Sequence, residues 1–215
     1  MKVKRIFFDL DGTLTDSGEG IINCASLALA HFAIPVPDRQ VMKAFVGPPL
    51  SETFEKFGVP AHLTDEAIAV YRSRYTTVGK FENTPYPGIQ ELLEALKTQR
   101  HRLYVATSKP EALSKEILEN FELAKYFDHI CGATLDKSRS KKEDVIAYLL
   151  SQVPTDKNTV MVGDTVHDII GAAAHGIPAI GVSWGYGSIA DMQKAGAAAI
   201  ANTPADLLQI LNTDL

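Results

Sequence analysis

Val3-Lys4-Arg5-Ile6-Phe7-Phe8-Asp9-Leu10-Asp11-Gly12-Thr13 is an apolar run that turns acidic within three residues. The run is short, β-branched and aromatic, as a buried strand requires. Asp9 and Asp11 stand at alternate positions beyond it, and period-two geometry aims both to one side if the strand continues. An Asp-Gly turn accounts for Asp11 and Gly12. It does not account for Asp9, a carboxylate directly after a buried run.

Outward from this stretch, apolar runs alternate with helical patterns. Strands are expected near 102–106, 128–131, 159–162 and 178–182, and helices near 88–97, 110–121, 141–150 and 168–175. Such alternation implies a parallel sheet with helices on both faces, linked by right-handed crossovers. From 16 to 83 no strand pattern is found. Helices are expected there at 20–32, 38–44, 49–57 and 65–78, the last with Thr64 as N-cap, punctuated by prolines 35, 37, 48, 49 and 60. The expected domains are therefore an α/β core of 1–15 with 84–215 and an inserted all-helical segment, 16–83.

The 215 residues suit a domain carrying such an insert, and 46% apolar content suits a folded chain. A net charge of −5 and a pI near 5.7 argue against a general nucleic-acid partner. No apolar run is long enough to span a membrane, and Asp9 and Asp11 interrupt any signal-peptide core. Two cysteines, Cys24 and Cys131, provide no disulfide framework or zinc site and suit a reducing, cytoplasmic compartment.

Three further elements carry chemistry. Val160-Met161-Val162-Gly163-Asp164-Thr165-Val166-His167-Asp168 again runs from a strand into carboxylates. Asp164 and Asp168 share a face if a helix begins there, although Asp164 or Thr165 could simply cap that helix. Carboxylates at two strand ends offer the all-oxygen ligands that a hard cation such as Mg2+ takes. In Thr107-Ser108-Lys109-Pro110 a strand opens toward a helix, and amides with hydroxyls there form a phosphate corner. Lys141 and Lys142 open another helix, where a cation is mildly unfavourable and a site role gains weight.

Two other patterns fail. Gly181-Val182-Ser183-Trp184-Gly185 matches a nucleophile elbow, but His175 is the last histidine and precedes it. Gly185-Tyr186-Gly187-Ser188 mimics a dinucleotide fingerprint with too little chain after it, and is assigned to a loop near the site. His167 is read as a polar residue of a helix face.

Together, Asp9–Thr13, Thr107, Lys142 or Lys141, and Gly163–Asp168 resemble the four motifs of the haloacid dehalogenase superfamily over essentially the whole chain. Phe45-Val46-Gly47-Pro48-Pro49-Leu50 and Glu82-Asn83-Thr84-Pro85-Tyr86-Pro87-Gly88 are similar to phosphoglycolate-phosphatase-like members, some of them 5′-nucleotidases. The resemblance implies a Rossmann-like sheet of order 3-2-1-4-5 with a mobile helical cap hinged near Thr15 and Thr84. It implies Asp9 as nucleophile, Asp11 as acid and base, and Thr107 and Lys142 completing the catalytic set. Gly12, Thr13, Ser108 and Lys109 would bind substrate. Mg2+ would be held by Asp9, the Asp11 backbone carbonyl, Asp164 and Asp168.

The reaction implied is hydrolysis of small phosphomonoesters through an aspartyl-phosphate, by a monomer or homodimer, with Phe45, Pro48 and Arg74 of the cap tuning the ester preference. Asp11 speaks against a dehalogenase. The absence of lysine from Leu14 to Phe32 speaks against a phosphonate hydrolase. Ile21-Ile22, where mutases carry a cap histidine, speaks against a β-phosphoglucomutase-like phosphotransferase. A catalytically dead binding scaffold would lack a motif acid.

Overall fold

The computed structural model describes residues 4–136, 138–153 and 158–213. They fall into two compact units, Met1–Thr15 with Pro85–Leu215, and Asp16–Thr84. In the first unit six strands form one sheet: β1 (Arg5–Phe8), β2 (Arg102–Pro110), β3 (His129–Ala133), β4 (Thr159–Gly163), β5 (Ala179–Val182) and β6 (Ala199–Ala201). Their order is 3-2-1-4-5-6, all parallel. The expected order 3-2-1-4-5 is thus extended by one edge strand. The sequence reading lacks β6 because Ala199-Ile200-Ala201 lies in an alanine-rich run with little β-propensity.

β1 is central because it is apolar on both sides. Ile6 and Phe8 enter one core cluster with Leu93, Leu103, Val162 and Leu207. Phe7 faces the other, with Tyr104, Ile146, Met161 and Ile169. β1 pairs β2 and β4 in register, Phe8 opposite both Val105 and Val162. The residues that follow Phe8, Val105 and Val162 therefore meet at the carboxyl end of the sheet, where open parallel sheets bind ligands.

The second unit holds α1 (Gly18–His31), α2 (Arg39–Met42), α3 (Leu50–Lys56) and α4 (Thr64–Tyr75). Its core is aromatic: the Phe45 ring lies 5.0 Å from Phe54, and Tyr71 stacks on Tyr75 at 5.1 Å. Thr64 is not the N-cap of α4. It is the first helical residue, with Leu63 at the cap, and its hydroxyl donates to Ala61 O at 2.9 Å because a 3-10 turn runs straight into the helix. Arg74 is engaged inside this unit, where its two terminal nitrogens donate to the two oxygens of Glu82 at 2.7 and 2.6 Å.

In the first unit α5 (Ile89–Thr98), α6 (Glu111–Asn120), α7 (Lys142–Gln152), α8 (Val166–Ala173), α9 (Ile189–Lys194) and α10 (Pro204–Leu211) complete the layers. Among the described residues no helix is long and apolar enough to cross a membrane.

Candidate active site

Asp9 follows β1 directly and is still bonded like a strand residue, its N–H donating to Val162 O at 2.9 Å. The chain then turns tightly, and Leu10 O accepts from the amides of Thr13, Leu14 and Thr15. Gly12 makes the turn possible at φ +80°. A Cβ there would meet the Asp164 carboxylate at 2.1 Å, so backbone conformation and space both require glycine.

β4 delivers the second pair of acids. Asp164 is fully buried, takes Thr13 Oγ1 at 3.3 Å and the Tyr186 amide at 2.8 Å, and caps nothing. Thr165 is the N-cap of α8, and its N–H and hydroxyl donate to Asp168 Oδ2 at 3.0 and 2.9 Å. The capping account and the clustering account therefore both hold for this segment, on different residues.

Asp9, Asp164 and Asp168 bring one oxygen each within 4.8 Å of one another, all buried. Lys142 is the cation among them. Its Nζ lies 2.8 Å from Asp9 Oδ1, 2.7 Å from Asp168 Oδ1 and 3.0 Å from Ala106 O, with the side chain 4% exposed. Lys141 is 74% exposed and lies 3.8 Å from Glu143. Only one of two adjacent residues at a helix start can face inward, and here it is Lys142.

Burial pushes the Asp9 carboxyl up to about 6, with Asp168 adding to the rise, while Lys142 and the Thr107 hydroxyl pull against it. Burial also pushes Asp164 well above the usual carboxylate range, reinforced by Asp168 and Asp9. Burial works against the Lys142 charge, but Asp168 and Asp9 outweigh it and hold the amine protonated.

These acids fit a hard divalent cation on two counts. The donors are all carboxylate oxygens, and their mutual repulsion is only partly met by one ammonium. Asp168 Oδ1 is buried and takes no aligned hydrogen bond among the described residues, its polar contact being the Lys142 ion pair. The Asp11 side chain is not in this cluster. Both its oxygens accept from Lys109 Nζ, at 3.0 and 2.8 Å.

The Thr107-Ser108-Lys109 segment differs from expectation. The strand expected to end near 106 continues: β2 runs to Pro110, and the helix it opens into, α6, starts at Glu111 with Pro110 as its cap residue. The β2–β3 register slips between Ala106 and Pro110, four residues on β2 advancing against two on β3. A bulge of this kind re-aims side chains. Thr107 is buried beside Asp9, and its Oγ1 accepts the Lys109 amide at 3.3 Å. Lys109, expected to bind substrate, has its ammonium on Asp11. Ser108 is half-buried.

The loop after β5 contributes what the motifs omit. Besides the Tyr186 amide on Asp164, Trp184 Nε1 donates to Thr13 O at 3.0 Å. The only sequence signal was the glycine spacing at Gly185-Tyr186-Gly187, which also mimics a dinucleotide loop. Asp164 lies close against that backbone: a Cβ on Gly185 would meet its side chain at 2.3 Å.

Residues 6–182 match the haloacid dehalogenase-like hydrolase family. A 5′-nucleotidase of Pseudomonas aeruginosa is 42% identical over 190 residues, 87% of this chain and 86% of its own length. Tyrosine-protein kinase PtkA of Mycobacterium tuberculosis is 45% identical over 183 residues, 85% of this chain, which spans only 62% of that protein. The crystal structure of a predicted phosphatase from Clostridium acetobutylicum superposes with TM-score 0.93 at 42% identity, covering 98% of this chain and 99% of that one. The four motifs, the sheet order and these likenesses converge, and the chain belongs to the haloacid dehalogenase-like hydrolase family.

Proposed function

We propose that this chain is a Mg2+-dependent phosphatase of small phosphomonoesters, nucleoside 5′-monophosphates or phosphoglycolate-like compounds, working through an aspartyl-phosphate on Asp9. The observation that carries the reading is the placement of Asp9: a buried carboxylate at the end of the central strand, ion-paired to Lys142 at 2.8 Å and clustered with Asp164 and Asp168. The likeness to the Pseudomonas 5′-nucleotidase over most of both chains supports the substrate class.

Oδ1 of Asp9 accepts the Leu10 amide at 2.8 Å and faces Lys142, so attack on phosphorus falls to Oδ2. The P–O bond to the leaving group breaks, and Asp11 gives that oxygen a proton. Water then attacks the phosphorus of the aspartyl-phosphate, losing its proton to Asp11, and phosphate leaves with Asp9 restored. Thr107 and Ser108 hold phosphoryl oxygens beside the turn at Gly12 and Thr13, and Lys142 offsets the charge of two anions brought together. Asp9, Asp164, Asp168 and the Asp11 carbonyl would hold the metal, which supplies charge neutralisation for an anionic nucleophile meeting an anionic phosphate.

We assign ester selection to the helical unit, because every residue of the acid–lysine cluster lies outside it. Two buried free thiols fit a reducing, cytoplasmic setting.

The test is turnover on a panel of nucleoside 5′-monophosphates, 2-phosphoglycolate and phosphotyrosine, with Mg2+ and with chelator. Release of phosphate from the first two classes, lost in chelator and in Asp9→Asn, is the expected result. Asp9→Asn within tenfold of wild type, or full activity in chelator, overturns it. Phosphotyrosine as the best substrate would overturn the assignment to small phosphorylated metabolites.

A further inference from the structure

Arg139 stands in the connection from β3 to α7, outside all four motifs. Its Nε donates to Gly132 O at 2.7 Å, on β3, and its NH2 donates to Glu111 Oε2 at 2.8 Å, the first residue of α6. The guanidinium carbon lies 3.7 Å above the Tyr148 ring, on α7. The backbone of the connection closes around the same residue: Thr134 N–H donates to Arg139 O at 2.8 Å, and Arg139 N–H to Thr134 Oγ1 at 3.0 Å.

Glu111 and Gly132 are tied in turn. Glu111 takes Lys115 through its other oxygen at 2.7 Å, and its Oε2 also accepts the Gly132 amide at 3.4 Å. A Cβ on Gly132 would meet Lys109 O at 2.5 Å, so β3 presses directly on the bulged segment. One side chain, 17% exposed, therefore ties together the strand end behind Thr107–Pro110, the start of α6, and α7. A planar fork that accepts stacking on one face and two acceptors on its edge is arginine chemistry that lysine does not reproduce.

α7 begins with Lys142, three residues after Arg139. The Lys142 ammonium meets three acceptors between 2.7 and 3.0 Å, and its stem runs against Gly171 of α8, where a Cβ would lie 2.7 Å from Lys142 Cγ. A site this closely fitted is sensitive to the placement of α7. We propose that Arg139 is a positioning residue for Lys142, clamping α7 to β3 and α6 so that the ammonium reaches Asp9 and Asp168 together. The inference rests on the proposed role of Lys142 in phosphoryl transfer.

A double-mutant cycle on the full chain tests it, with kcat and KM measured on the best ester of the panel. Arg139→Ala is expected to lower kcat about tenfold, a modest misplacement on the scale of orientation effects, with KM within about twofold. Arg139→Lys, which keeps the charge but not the fork, falls between. In a Lys142→Ala background Arg139→Ala should cost less than about twofold, because the group it positions is gone. Added guanidinium should restore part of the Arg139→Ala loss where ammonium does not, a readout independent of the Lys142 variant. Should Arg139→Ala fail to fold by circular dichroism, Tyr148→Leu removes the stacking face and takes its place in the cycle. Losses that multiply in the double variant, or kcat unchanged in the single one, overturn the inference. An inactive wild type fails the proposed function instead, so the two failures are distinct.

Discussion

Lys109 Nζ touches both carboxylate oxygens of Asp11, and the two side chains are 5% and 14% exposed. A carboxylate gripped at both oxygens by an ammonium is held in one orientation. An acid that must protonate a leaving oxygen depends on that grip for placement. Lys109→Met keeps the apolar stem and removes the charge. It should lower kcat/KM about tenfold more for an alkyl phosphate than for 4-nitrophenyl phosphate, whose leaving group departs without a proton. Equal losses on the two esters would leave Lys109 a plain substrate-binding residue.

The three-carboxylate cluster makes a thermal prediction that needs no turnover. Mg2+ binds the folded chain and relieves repulsion among Asp9, Asp164 and Asp168, so Tm should climb with Mg2+ concentration. Saturation at a hundredfold over Kd corresponds to about 2.7 kcal/mol. Asp164→Asn should remove most of the Tm rise and leave the apo protein at least as stable, since a buried repelling charge is gone. Ca2+ should bind but inhibit, because its larger, looser shell can take both Asp9 oxygens. A Tm that Mg2+ leaves unmoved would discard the metal site.

Much of this site was legible because strand ends announce themselves: Phe8-Asp9 and Val162-Gly163-Asp164 both break an apolar run with an acid, and the pairing of β1 with β4 does the rest. The strand expected to end near 106 runs on to Pro110, and the helix after it starts one residue later than expected, because Pro110 suits the first turn of a helix as well as the end of a strand. A bulge leaves no mark in a single sequence, since it depends on the partner strand. Lys109 on Asp11, Tyr186 on Asp164 and Arg139 on Glu111 are equally invisible, being contacts across at least 22 positions of chain. Which of Lys141 and Lys142 faces inward is a helix-phase question, decided by the Lys142 stem packing on Gly171 of α8.

Gly12→Ala should abolish turnover and destabilise the fold. The position has φ +80°, and the new methyl would meet Asp164 Oδ2 at 2.1 Å, so either the turn or the acid moves. Gly58, at φ +98° with nothing within 4 Å, is the control. Gly58→Ala should carry only the backbone strain, about 1 kcal/mol, and keep its activity. Equal effects at the two positions would mean that the approach of Asp164 to Gly12 carries no weight.

His101 gives a pH prediction remote from the acids. It is 1% exposed, Lys4 N–H donates to its Nδ1 at 3.0 Å, and Nε2 is buried without a hydrogen-bond partner among the described residues. Burial first, then the Lys4 charge, holds its pKa below the ordinary 6.5. The unfolded chain therefore takes up a proton as pH falls past 6.5 while the folded chain resists, and folding stability drops with falling pH until the lowered folded pKa is reached. Asp9, raised to about 6, works in the opposite direction in the same window when no metal is bound: its folded form takes up the proton first and gains stability as pH falls. A single pH–stability curve would mix the two, so the difference between wild type and His101→Gln isolates the histidine. Glutamine keeps an acceptor for Lys4 N–H and does not titrate. In urea unfolding, the wild-type advantage at pH 7.5 should shrink steadily between pH 6.5 and 5. Parallel curves over that range would show that His101 titrates alike in both states.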